Sequence, residues 1–158
     1  MNRWVALVAL AAITSACGAS GGGTAAASPS ASPAAVSPSS APSPRVLNFK
    51  LNGIKSSATG AITVTVLPGS VTIEIVITGL QPNSAHVSHV HAGSCQQPGN
   101  ILLALTTVVA DGQGNSDTRT TLDATYPPTS GTWYAVVHAG PDMQGSNATY
   151  LLCGNLFA

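Results

Sequence analysis

Ala61-Ile62-Thr63-Val64-Thr65-Val66-Leu67, a Pro68-Gly69 break, and then Val71-Thr72-Ile73-Glu74-Ile75-Val76-Ile77-Thr78 running up to Gly79 is the stretch on which the fold turns. Apolar and polar side chains alternate with period two, β-branched residues dominate, and Pro and Gly punctuate the ends. This reads as two strands joined by a tight turn. The pattern extends in both directions. Upstream it begins at Val46-Leu47-Asn48-Phe49-Lys50-Leu51, and downstream residues 87–91, 101–110, 115–122, 132–138 and 149–156 are strand candidates. Asp111-Gly112 with Gly114 reads as a hairpin turn between two of them. No segment carries a helical period. Many short strands at this spacing predict an all-β sandwich or barrel.

Ahead of this region the composition changes. Met1-Asn2-Arg3 places one positive charge before an apolar run, Trp4 to Ile13, that is too short to span a bilayer. Small residues Ser15 and Ala16 then precede Cys17. Residues 1–16 are therefore expected to be a signal peptide, so the protein is exported. The ending resembles a bacterial lipobox, in which Cys17 would carry lipid and anchor the chain on the extracytoplasmic side of the cell envelope. Thr14 departs from that pattern, and ordinary cleavage near Ala16 with Cys17 a bystander is the alternative. Residues 17–44 are rich in Ala, Ser and Pro with no aromatic or charged side chain before Arg45, which predicts a disordered linker. The globular domain is then 45–158.

Charge is sparse and balanced. The 158 residues carry five Lys or Arg and five Asp or Glu, with no cluster of either sign. Nucleic-acid binding, which needs concentrated Lys and Arg, is excluded on that basis. Three cysteines in an exported chain require an explanation. If Cys17 is lipidated, Cys95 and Cys153 remain as a pair in a compartment where a disulfide persists.

The chemistry lies in the histidines. Three of the four fall in His86-Val87-Ser88-His89-Val90-His91, and the fourth, His138, ends the candidate strand at 132–138. Residues two apart on a strand share a face, so His89 and His91 present two imidazoles side by side, while His86 lies at an odd offset. A third imidazole from a distant strand would complete a nitrogen site suited to copper or zinc. Scattered histidines without a metal are the plain alternative.

Thr78-Gly79-Leu80-Gln81-Pro82, followed by His86-x-x-His89-x-His91, Gly93 and Cys95, resembles the copper-ligand strand of copper/zinc superoxide dismutases. Val137-His138-Ala139-Gly140-Pro141-Asp142 is similar to the family's segment with its last copper histidine. Cys153-Gly154-Asn155-Leu156 is similar to its closing segment with the second disulfide cysteine, and Val109 to Gly114 fits its central hairpin. The resemblance implies a Greek-key β-sandwich or flattened barrel of about eight antiparallel strands. It further implies copper held by His89, His91 and His138, a structural brace at His86, and a Cys95–Cys153 disulfide. Any catalysis, superoxide dismutation, would run through the copper those three histidines hold.

The departures matter equally. No histidine lies between His91 and His138, so the family's zinc ligands and bridging histidine are missing and zinc is not expected. Tyr150 stands where the family places a guiding arginine, and Arg119 could replace it only if the fold brought it near the metal. Trp133 and Tyr134 read as packing. The reading is an exported copper-binding protein with dismutation as the implied activity. Its alternative is a non-catalytic copper-binding or structural envelope lipoprotein. The histidine and glycine pattern also resembles the CHRD domain. The CHRD ending Gly-Glu-Ile-Arg-Gly is missing and Cys153-Gly154 is present, which favours the dismutase relation.

Overall fold

The computed structural model describes residues 43–157. The expected signal peptide, the Cys17 anchor and nearly all of the linker lie outside the described residues. Ten strands form: β1 (Arg45–Gly53), β2 (Thr59–Leu67), β3 (Ser70–Thr78), β4 (Ala85–His86), β5 (Ser88–Ser94), β6 (Gln97–Ala104), β7 (Val108–Val109), β8 (Ser116–Leu122), β9 (Trp133–His138) and β10 (Tyr150–Asn155). Among the described residues the helical element is one short 3-10 turn, Gly145–Ala148. Eight strands make one antiparallel sheet in the order β6-β5-β9-β10-β1-β2-β3-β8, curled into a half-barrel, and β4 pairs with β7 beside it. The all-β expectation is met.

Alternation dictates which face is buried. On β3, Val71, Ile73, Ile75 and Ile77 are almost fully buried, while Thr72, Glu74, Val76 and Thr78 face outward. On the neighbouring β2, Ile62 and Val64 join them, and Leu51, Val90, Ala135, Val137 and Leu152 complete one core inside the curl. The ends of the sheet are drawn together at Thr106. Its amide donates to Thr120 Oγ1 at 2.8 Å and its hydroxyl to the Arg119 carbonyl at 3.1 Å, linking the chain after β6 to β8.

That closure explains two differences from the sequence reading. Residues 101–110, expected as one strand, break at Thr106, because the chain leaves β5 there and re-pairs with β4 as β7. The Asp111 turn forms, with Asp111 Oδ1 accepting from the Gln113 and Asn115 amides at 2.8 Å. The strands it joins do not pair as a hairpin, however: β8 takes its ladder from β3. Gly114 is required there, since its φ is +80° and a Cβ would overlap the Leu80 carbonyl.

Candidate metal centre

The register between β5 and β9 assembles the site. His89 lies opposite Val136 and His91 opposite Tyr134. The His138 amide donates to the Val87 carbonyl at 2.9 Å, which continues that register. Residues 89 and 91 on β5 and 134, 136 and 138 on β9 therefore share one face, the one turned away from the main core. β10 adds to it through an irregularity. Tyr150 is opposite His138, Leu152 opposite Val137 and Cys153 opposite Val136, so the register slips at Leu151. Without that bulge Tyr150 and Leu152 would point the same way; with it, Tyr150 joins His138 outside while Leu152 stays in the core.

On this outer face the three expected histidines converge. One ligand nitrogen from each of His89, His91 and His138 lies within 4.8 Å of the others. His91 and His138 are buried, at 4% and 1% exposure, and His89 is partly exposed. His91 Nδ1–H donates to the Gly99 carbonyl at 3.1 Å, and His138 Nδ1–H donates to the Ala148 carbonyl at 2.8 Å. A carbonyl only accepts, so each proton sits on Nδ1 and each Nε2 is a bare lone pair. His91 Nε2, His138 Nε2 and His89 Nδ1 are buried with no hydrogen-bond partner.

Three orphaned buried ring nitrogens in one place are costly unless something fills the space between them. A metal ion could fill it. With metal–nitrogen bonds of about 2.0–2.1 Å, three trigonal donors stand about 3.5 Å apart, so the cluster needs a small contraction to close on an ion. Electrostatics favour the neutral form at His89 and His138. Burial, then the neighbouring His138 and His91, hold His89 below the ordinary imidazole value. Burial also lowers His138, outweighing the Ala148 carbonyl that favours its protonated form, with His91 lowering it further.

His86 does not join the cluster. It is buried, its Nδ1–H donates to the His138 carbonyl at 2.9 Å, and its Nε2 lies 2.8 Å from Ser84 Oγ. This is the bracing position that the resemblance implied. Cys95 and Cys153 form the disulfide, with Cα atoms 6.0 Å apart, tying the end of β5 to β10 beside the same face. Arg119 is engaged elsewhere: its guanidinium is paired with Glu74 at 2.5 Å across β8 and β3.

Reading residue types missed what surrounds the imidazoles. Tyr134 is fully buried, its ring centroid is 5.1 Å from that of His91, and its hydroxyl pairs with that of Tyr150 at 2.9 Å. Tyr150 meets His91 and His138 edge-on at 5.7 and 5.4 Å. Burial and the bond to Tyr134 push the Tyr150 phenol up, so it stays protonated at neutral pH. Trp133 is packing, as expected, against the main core and Tyr126. The parity of 134, 136 and 138 along one strand was the signal that could have placed Tyr134 beside the histidines.

A search of curated proteins finds no match. Among solved structures, the fold is similar to the crystal structure of a SOD-like protein from Bacillus subtilis. The TM-score is 0.57 and the identity 15%, and the match covers 70% of this chain and 97% of that one. At that identity the likeness concerns the fold. The CHRD domain matches residues 47–144. The dismutase resemblance is thus supported at the level of fold and the CHRD resemblance by the family match; the preference between them rested on the missing Gly-Glu-Ile-Arg-Gly ending and on Cys153-Gly154, the latter beyond the matched segment. By this match over most of its length, the chain belongs to the CHRD domain family.

Proposed function

We propose that this protein is an exported copper-binding domain that holds one copper ion through His89 Nδ1, His91 Nε2 and His138 Nε2. The observation that carries the reading is the trio of buried, unpartnered ring nitrogens facing one another. Three imidazoles suit copper, and three coplanar nitrogens suit its cuprous state, whereas cupric ion prefers a further ligand in a tetragonal arrangement. Bound copper would supply one-electron redox chemistry. The chain's own part is to fix the two Nδ1–H tautomers, favour the neutral form of His89 and His138, and exclude water from the His91 and His138 side with Tyr134 and Tyr150.

Export behind a signal peptide, with Cys17 lipidated and residues 17–44 as a tether at the envelope, belongs to the same reading. The Cys95–Cys153 disulfide is compatible with it.

Superoxide dismutation is the second reading. It is favoured by the partial exposure of His89, a flank by which a small anion could reach the ion. Tyr150 in place of the guiding arginine, and the pairing of Arg119 with Glu74, argue for slow turnover, because a weaker positive field concentrates less of the anion there.

The test is to load the purified chain with copper or zinc, measure stoichiometry, and follow superoxide consumption. One copper per chain without fast turnover supports the binding role. One copper with fast turnover promotes the second reading, and no tight metal refutes both.

A further inference from the structure

Resting on the copper-binding reading, we infer that Asn147 and Asp142 are positioning residues that set the tautomer and orientation of His138. They act through the Ala148 carbonyl, without touching the metal.

The residues after His138 form a closed loop. Ala139 N–H donates to the Thr149 carbonyl at 2.8 Å, and Gly140 N–H to the Asn147 carbonyl at 3.2 Å. Inside it, Asn147 N–H donates to the Gln144 carbonyl at 3.0 Å and Thr149 N–H to the Ser146 carbonyl at 3.1 Å. The 3-10 turn Gly145–Ala148 has no side-chain bond at its N-cap, while at its C-terminal end Thr149 Oγ1 donates to the Ser146 carbonyl at 2.7 Å. Its geometry is held from outside by Asp142, whose Oδ1 accepts from the Gln144 amide and from Asn147 Nδ2, both at 3.0 Å. These bonds hold the Asp142 carboxyl below its usual range, which marks it as an ionised acceptor.

Asn147 is seated as well as bonded. A Cβ on Gly140 would overlap its side chain, so the amide lies directly over the backbone two residues beyond His138. The next residue along, Ala148, presents the carbonyl that accepts from His138 Nδ1. The chain of dependence is therefore Asp142 to Asn147 to the Ala148 carbonyl to His138 Nδ1–H, and so to a free Nε2. Without that acceptor the proton can move to Nε2, and a protonated Nε2 cannot ligate. Asn147 also begins the sequon Asn147-Ala148-Thr149, but its Nδ2 is engaged with Asp142, so its place in the loop is structural.

The experiment compares the wild-type chain with Asp142→Ala, Asn147→Asp, Asn147→Ser and Asp142→Asn. It uses cuprous-ion competition against a chromophoric chelator and NMR of the ring Nδ1–H protons in the metal-free chain. Asp142→Ala and Asn147→Asp are expected to weaken cuprous binding by roughly 10- to 100-fold, the range for outer-shell partners of ligating histidines. Asn147→Ser is expected to lie between these and wild type. Asp142→Asn, which keeps an acceptor oxygen, is expected to recover most of the loss. The His138 Nδ1–H signal should broaden in the first two variants while that of His91, bonded to Gly99, stays sharp. Wild-type affinity with a sharp His138 signal in both would overturn the assignment, and so would equal loss of both histidine signals, which means general loosening. If wild-type chain takes up no copper, the metal reading fails, while the metal-free spectra still decide the clamp.

Discussion

At the candidate centre each side chain is specified twice, once by its own chemistry and once by the backbone it meets. His138 is the extreme case: its amide bonds Val87, its carbonyl accepts from His86, and its ring bonds Ala148. His138→Ala removes one of three donors, and the loss of copper affinity should exceed the roughly 100-fold ascribed to outer-shell changes. A chelator competition assay measures it, and unchanged affinity would refute the ligand set. His86→Ala is expected to act on stability first. It leaves the His138 carbonyl unpartnered, at about 1–3 kcal/mol in a denaturant titration. The pH dependence has a definite sign. His89 and His138 lie below the ordinary imidazole value of about 6.5 in the folded chain, so the unfolded chain binds protons that the folded one refuses. Stability of the metal-free chain should be level above 6.5 and fall as pH drops below it. Urea midpoints at pH 7.5 and 5.5 check this, and a combined His89→Ala, His138→Ala variant should flatten the slope. The histidines were legible in the sequence because type and parity both announce them. Gly99 and Ala148 were not, because any residue supplies a carbonyl and only the fold decides which one arrives.

Strand by strand, the outcome depends on whether one strand's alternation survives its neighbours. On β3 it does, and the buried set follows from the alternating pattern alone. Ile73→Ala should therefore cost about 2–5 kcal/mol. Val76→Thr, on the outward face at 42% exposure, should stay within about 0.5 kcal/mol. Thermal melts of the two variants separate the faces, and equal losses would mean the register is wrong. On β10 simple alternation would have placed Tyr150 with Leu152, and the bulge at Leu151 separates them. Nothing in that short strand announces the slip, because it depends on how β9 and β10 meet across the sheet. The break at Thr106 has the same origin: its partners Thr120 and Arg119 lie across the closing edge of the sheet.

As a whole the molecule is a curled sheet with two unequal faces: a large apolar core inside, and outside a small patch of Tyr134, Val136 and Cys153 beside the histidines. The disulfide spans 58 residues and joins strands that both border the metal face. Replacing Cys95 and Cys153 together should cost about 2–4 kcal/mol, mainly by freeing the unfolded chain. In a domain of this size that is a fall of roughly 10–20 °C in Tm. A Tm within a few degrees of wild type would show that the sheet carries itself. Architecture and site were legible together because they share a cause: the alternation that sends Val90, Ala135 and Val137 inward sends His89, His91 and His138 outward. Whether these three imidazoles meet on one copper ion is read by X-ray absorption on the copper-loaded chain. Three imidazole nitrogens at about 2.0 Å are expected, with one lost in His138→Ala. Sulfur or oxygen donors in their place, or a spectrum unchanged by that substitution, would contradict that ligand set.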